Sequence, residues 1–292
     1  MSSLSRLALG TVQFGIPYGI SNSNGQVSLE DASSILQLGL DKGISTLDTA
    51  IAYGNSESVL GKIGVEQWQI ISKIPSLPSD VQCVKEWAYE QIHSSLFHLR
   101  VNQIHGLLLH NPSDLHGIHG QELYETLLTF KEDNLVKKIG YSIYAPAELD
   151  ELTSSFPPDI VQAPFNIFDR RLTESGWLGR LAQMGCEIHV RSIFLQGLLL
   201  MDQYSRPEKF SRWSALWDQW DSWRLQNNLT ALGACLQFVL SYPEISKIVI
   251  GVTSIAELKQ IIEVTTVHNE FVPFELHQTE PVLINPGQWK TL

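Results

Sequence analysis

Eight short apolar runs recur along the chain, and each gives way to helix-patterned sequence before the next begins. They run from Leu7 to Val12, Ile44 to Asp48, Trp68 to Lys73, Ile104 to Leu109, Val136 to Ser142, Ile160 to Ala163, Glu187 to Ser192 and Lys247 to Val252. Between the first two, Leu29 to Leu40 places apolar residues three and four apart, and Gly43 then stops the helix. Further helices are expected at 56–63, 81–100, 121–134, 145–155 and 175–184, as a pair at 213–224 and 230–241, and from Ser254 onward. Strand-like runs that alternate with helices and lack internal Gly/Ser linkers make a β/α repeat. The expectation is an α/β fold, a single-domain (β/α)8 TIM barrel over residues 1–292 with a C-terminal tail from about residue 270.

A doubly wound open sheet is the structural alternative. It would announce a dinucleotide with a glycine fingerprint that opens a helix after the first strand, and Gln13-Phe14-Gly15-Ile16-Pro17-Tyr18-Gly19 does not supply one. At 292 residues the chain has the length of one barrel, and no apolar run reaches the roughly 18 residues that a spanning helix needs. A formal charge of −11 argues against a nucleic-acid partner or an anionic membrane surface. Met1 to Arg6 lacks the apolar stretch of a secretory leader, and the three cysteines, Cys83, Cys186 and Cys235, are far apart, so a reducing cytoplasm is the expected setting.

Four polar residues stand where successive strand-like runs end. Asp48 closes the second run, Tyr53 follows in the next loop, Lys73 ends the third and His110 follows the fourth. In a barrel these positions share the C-terminal face, where the four side chains converge. Taken singly, Asp48 also suits a strand-end cap, Lys73 a solvated terminus, Tyr53 a loop aromatic and His110 a satisfied core histidine. Taken together they match the needs of carbonyl reduction, in which a hydride reaches carbon and a side chain delivers a proton to oxygen. Tyr53 is the candidate acid. Lys73 would be the cation that brings a phenol of ordinary pKa near 10 toward the working range, Asp48 the anchor for the ammonium and His110 the group that holds the carbonyl oxygen.

Leu9-Gly10-Thr11, Leu47-Asp48-Thr49-Ala50, Tyr53-Gly54, Ser72-Lys73 and Leu109-His110 resemble the landmarks of the aldo-keto reductases, and the resemblance runs from Leu7 to about Val264. It implies that Tyr53 is the general acid/base, that Asp48 and Lys73 tune it, and that His110 orients a small-molecule carbonyl substrate. It also implies NADP(H) or NAD(H) bound extended across the barrel mouth, with Gly10 and Thr11 in the cofactor-binding set. Ser142 and Gln162 match the carboxamide end, with Asn166 nearby. The stretch from Ser192 through Phe194, Leu195 and Gly197 matches the pyrophosphate loop, and Gly251, Thr253, Ser254 and Glu257, with Gln260, match the adenosine end.

The chain departs from the family's pattern in three ways. Ile143 stands where many relatives have Asn, Arg191 where an aromatic usually stacks on the nicotinamide, and Gly251 and Glu257 where basic residues often grip the 2′-phosphate. Glu257 would repel that phosphate, so NADH should be tolerated well.

No metal is expected. His93 and His98 lie five apart and miss the spacing that puts two imidazoles on one helix face. His116 and His119 read as solvated loop residues near the substrate entrance. Trp213, Trp217, Trp220 and Trp223 at helical spacing read as core. Residues 201–228 and the tail are expected over the barrel mouth, and the tail's Ile284-Asn285-Pro286-Gly287-Gln288-Trp289 resembles that of bacterial relatives associated with surface-sugar metabolism, which implies a sugar-derived carbonyl. A dinucleotide-binding sensor that acts through a partner, or an interaction subunit of the same fold, are the alternatives to an enzyme.

Overall fold

The computed structural model describes residues 3–265 and 273–292. Its strands are β1 (Leu7–Gly10), β2 (Thr46–Asp48), β3 (Gln69–Ile74), β4 (Ile104–Leu109), β5 (Val136–Ser142), β6 (Ile160–Pro164), β7 (Glu187–Arg191) and β8 (Lys247–Gly251). Each pairs in parallel with the next, and β8 pairs with β1 to close an eight-stranded barrel. The expected (β/α)8 architecture is therefore the observed one. Most of the apolar core lies between this barrel and the surrounding helices, while Ile71, Leu108 and Ile160 form a separate buried cluster.

Local chemistry sets the element ends. Ser28 caps helix Leu29–Asp41 by accepting from Asp31 N, and Gly43, at φ +81°, takes the left-handed turn that releases the chain into β2. Between β5 and β6 the backbones approach so closely that a Cβ on Gly140 would fall 1.8 Å from Ile160 O.

The first strand stops earlier than the apolar run suggested. Thr11 turns its N–H and its hydroxyl onto the same acceptor, Asp48 O, at 2.9 and 3.1 Å, and Val12–Gly15 then form one helical turn. At the opposite end of the barrel, Glu187 accepts from Lys138 and His105 and bonds to His189, filling the floor with a polar cluster. Burial alone would raise the Glu187 pKa, but these partners hold it well below the usual carboxylate range.

The tryptophan stripe is core. Trp213, Trp217 and Trp220 are buried, Trp223 stacks on Trp220, and the Trp217 indole donates to Phe210 O. The tail from residue 273 packs beside this cluster. Leu276, Leu283, Ile284 and Trp289 are buried, Trp289 meets Phe210 edge-on at 4.9 Å, and Glu280 accepts from the Trp213 indole. Apolar residues thus draw the tail onto the flank of the barrel. Residues 270–272 of the expected tail lie outside the described residues. Among the described residues no helix is long and apolar enough to cross a membrane.

Candidate active site

Asp48 and Lys73 reach the C-terminal mouth from the ends of β2 and β3, and both are buried. Lys73 Nζ donates to Asp48 Oδ1 at 2.7 Å and to Thr49 O at 2.9 Å, while Gln162 Nε2 donates to Asp48 Oδ2 at 2.6 Å. Both carboxylate oxygens are therefore engaged. Burial pushes the Lys73 pKa down and Asp48 pushes it back up, with burial the larger effect.

Tyr53 is placed by the loop after β2. Its N–H donates to Ala50 O, its carbonyl accepts from Ser56 N, and Ser56 Oγ in turn donates to Thr11 O at 2.8 Å. The turn at Val12–Gly15 seats directly against this loop, since a Cβ on Gly15 would fall 1.7 Å from Tyr53 O. The phenol ring then lies 5.3 Å from Lys73 Nζ and meets the His110 ring edge-on at 5.8 Å. The four residues singled out in the sequence stand together.

Their electrostatics differ from the expected tuning. Burial raises the Tyr53 pKa above that of an ordinary phenol, Asp48 raises it further, and the Arg191 guanidinium opposes both. Lys73, already paired with Asp48, does not offset the desolvation, so the phenol keeps its proton at neutral pH. Burial, with Lys73 and Arg191 adding to it, lowers the His110 pKa to about 4. His110 is thus a neutral imidazole with one N–H to donate.

A cavity of about 1170 Å³ opens above these groups and extends from Tyr53 to the start of helix Ile255–Val264. Gly10, Thr11, Ser142, Gln162 and Arg191 line it, as do Ser192, Phe194, Gly197, Gly251, Thr253 and Glu257. Three other expected residues stand behind that wall. Asn166 is buried, its amide donating to Ser192 O and its carbonyl accepting from Phe168 N and Asp169 N, so it braces the loop after β7. Leu195 is wholly buried. Ser254 caps helix Ile255–Val264 by accepting from Glu257 N. The Glu257 carboxylate accepts from Thr253 N and its hydroxyl, so it serves as a capping group while it also lines the cavity.

Several features of the wall fit a dinucleotide. Gln162 Oε1 and Gln13 Oε1 are buried acceptors with no hydrogen-bond partner among the described residues, an arrangement that costs free energy until a donor arrives. A primary carboxamide brings the donor that Gln162 lacks. Ser192, Leu195, Gln196 and Gly197 all take positive φ between 46° and 93°, a strained loop of the kind that lets backbone approach phosphate oxygens.

Gln13, Tyr18 and Tyr144, all in the cavity wall, were not singled out from the sequence. Gln13 and Tyr18 follow β1, and Tyr144 follows β5, so every one of these loops emerges on the active face. Position after a strand is the signal that marks all three. Residues 201–228 meet the expectation through Met201, Asp202, Arg224, Leu225 and Asn228, whereas no described tail residue lines the cavity. His116 and His119 also stand outside the wall, paired with Glu151 and Glu122.

The chain matches the Aldo/keto reductase family over residues 6–276. It is 25% identical over 182 residues to the Bacillus subtilis protein YhdN, described as an aldo-keto reductase, and this match covers 59% of the chain. The chain spans about half the length of that curated relative, 53%. An aldo-keto reductase from Bacillus halodurans, solved in its holo form, superposes with a TM-score of 0.71 at 19% identity, covering 91% of this chain and 88% of that one. An aldo/keto reductase from Klebsiella pneumoniae, solved in complex with NADP and acetate, gives 0.68 at 17% identity, covering 91% and 87%. These structural likenesses speak for the fold.

Proposed function

Because this chain belongs to the aldo/keto reductase family, we propose that it is an NAD(P)(H)-dependent oxidoreductase that reduces an aldehyde or ketone to an alcohol. The observation that carries this reading is the buried Asp48–Lys73 pair set 5.3 Å from the ring of Tyr53 at the foot of a large cavity.

In this reading Tyr53 gives its phenolic proton to the carbonyl oxygen, and the raised pKa keeps that proton in place until negative charge develops on the oxygen. His110, neutral at pH 7, donates an N–H to the same oxygen and aligns it. The Lys73 ammonium, fixed by Asp48 and Thr49, stabilises the phenolate that proton transfer leaves behind. A nicotinamide dinucleotide, when bound, would supply the hydride. Ser142 and Gln162 would hold its carboxamide, the Ser192 to Gly197 loop would cradle its phosphates, and Thr253 and Glu257 would stand at its adenosine ribose.

The acidic Glu257 at that end favours an uncharged ribose hydroxyl over a 2′-phosphate, so NADH serves at least as well as NADPH. Lys259 does not offset this charge, since it is exposed and stands outside the cavity wall. The substrate is a small carbonyl compound. A sugar-derived carbonyl is the class that the tail's resemblance implies, through Ile284 to Trp289.

The test is loss of dihydronicotinamide absorbance with NADH or NADPH and a panel of simple and sugar-derived aldehydes. Turnover of any of them supports the reading. Tight cofactor binding without turnover across the panel would favour a dinucleotide-binding sensor that acts through a partner.

A further inference from the structure

Arg191 ends β7 with a guanidinium held by neutral acceptors alone. Nη2 donates to Ile143 O at 2.9 Å, and Nε and Nη1 donate to Ser142 Oγ and Ser192 Oγ, each at 3.4 Å. The group also lies 4.9 Å over the Tyr144 ring. Among the described residues no carboxylate forms an ion pair with it, whereas Lys73 has Asp48 and the cavity's other arginine, Arg224, has Asp221. Its charge is felt at Tyr53, Lys73 and His110, and neither Asp202 nor Glu257, the remaining acids of the wall, acts on those three groups. The catalytic end of the cavity therefore holds an uncompensated positive charge, in a chain whose net charge is −11.

We infer that Arg191 makes this protein discriminate between the redox states of its nicotinamide cofactor, holding the reduced form more tightly than the oxidised form. The inference rests on the reading given above, in which Ser142 and Gln162 take the carboxamide. Since Arg191 is bonded to Ser142, the ring that bears the carboxamide comes to lie beside the guanidinium.

The oxidised ring is a cation and the reduced ring is neutral. Every other part of the cofactor is the same in both forms, so contacts to phosphates, riboses and adenine cancel in the ratio of the two dissociation constants. What survives is how the site treats the ring, its desolvation and shape included, and the change from arginine to a neutral residue isolates the part that comes from the fixed charge. Two unit charges about 6 Å apart, in an effective dielectric of about 40, change an affinity by about tenfold. By linkage, the same factor pulls the equilibrium on the protein toward carbonyl plus reduced cofactor. Arg191 thereby biases the site toward alcohol oxidation relative to a site with a neutral residue there.

The experiment is a titration of NADH and NAD⁺ at pH 7 against the whole chain, by calorimetry or quenching of protein fluorescence, for wild type, Arg191→Gln and Arg191→Lys. Wild type should bind NADH at least about tenfold more tightly than NAD⁺. Arg191→Gln should cut that ratio by about tenfold, mainly by strengthening NAD⁺, and Arg191→Lys should retain most of it because the charge stays. A merely structural Arg191 would weaken both forms equally and leave the ratio alone. A wild-type ratio below about threefold overturns the inference without any variant, as does an unchanged ratio in a folded Arg191→Gln. If neither cofactor binds at all, the oxidoreductase reading itself falls, which is a different result.

Discussion

Lys73→Met removes the ammonium from a pair that is almost wholly buried. Asp48 Oδ1 then faces a methyl group, Thr49 O loses its donor, and Gln162 Nε2 is the remaining side-chain donor to the carboxylate among the described residues. Breaking a buried pair on one side typically costs about 3–5 kcal/mol, because the surviving charge has lost its partner in a low-dielectric site. The Asp48→Asn variant should cost less, since Lys73 can shed its proton, and burial already pushes its pKa down. The double variant Asp48→Asn/Lys73→Met leaves two neutral groups of similar volume and should cost about 2–3 kcal/mol in all, well below the sum of the singles. Urea unfolding of the cofactor-free protein reads all four corners of this cycle. Turnover should behave differently: the double variant regains stability over Lys73→Met and stays inactive. If the two single costs add within about 0.5 kcal/mol, the claim that these charges neutralise one another is wrong.

Gly15→Ala pushes a methyl group into the carbonyl of Tyr53 and should destabilise the fold by about 1–3 kcal/mol. Turnover should drop by about ten- to a hundredfold through displacement of the phenol, with cofactor dissociation constants little changed, as steady-state kinetics beside binding titrations will show. For His110, the folded-state pKa of about 4 lies below the ordinary 6.5, so the unfolded chain takes up this proton first as pH falls. Its contribution to stability is therefore present above pH 6.5 and lost between 6.5 and 4, up to about 2–3 kcal/mol, and His110→Gln should lose that part of the acid sensitivity when urea midpoints at pH 7 and 4.5 are compared. Glu257→Gln should tighten NADPH by about three- to tenfold and leave NADH within about twofold, at a stability cost of about 1 kcal/mol for the weakened cap. Unchanged NADPH affinity would mean that the carboxylate is a helix cap alone.

The barrel was legible because its signals are local. Each strand is a contiguous apolar run, each helix carries its own period and stop, and Gly43 takes the left-handed conformation that its place after a helix suggests. Asp48, Lys73 and His110 were legible for a related reason: in a parallel barrel, the end of a strand is the active face whatever the rest of the chain does. Relations between distant residues were not. The bond from Gln162 to Asp48 spans 114 positions, and no window of sequence reports it. The balance at Tyr53 went the same way, because a nearby lysine is visible in the sequence while the burial that outweighs it is a property of the closed site. The tail carries apolar residues suited either to covering a mouth or to packing on a flank, and the neighbouring tryptophan cluster decides between them.

The central claim is that Tyr53 supplies the proton while other residues hold the cofactor. Tyr53→Phe removes only the phenolic oxygen, and comparing its single-turnover hydride transfer with that of wild type, on protein whose NADH affinity has been measured, tests the claim most directly. Transfer should slow by at least about a hundredfold, with the NADH dissociation constant within about threefold of wild type. Hydride transfer at the wild-type rate in Tyr53→Phe would contradict the claim.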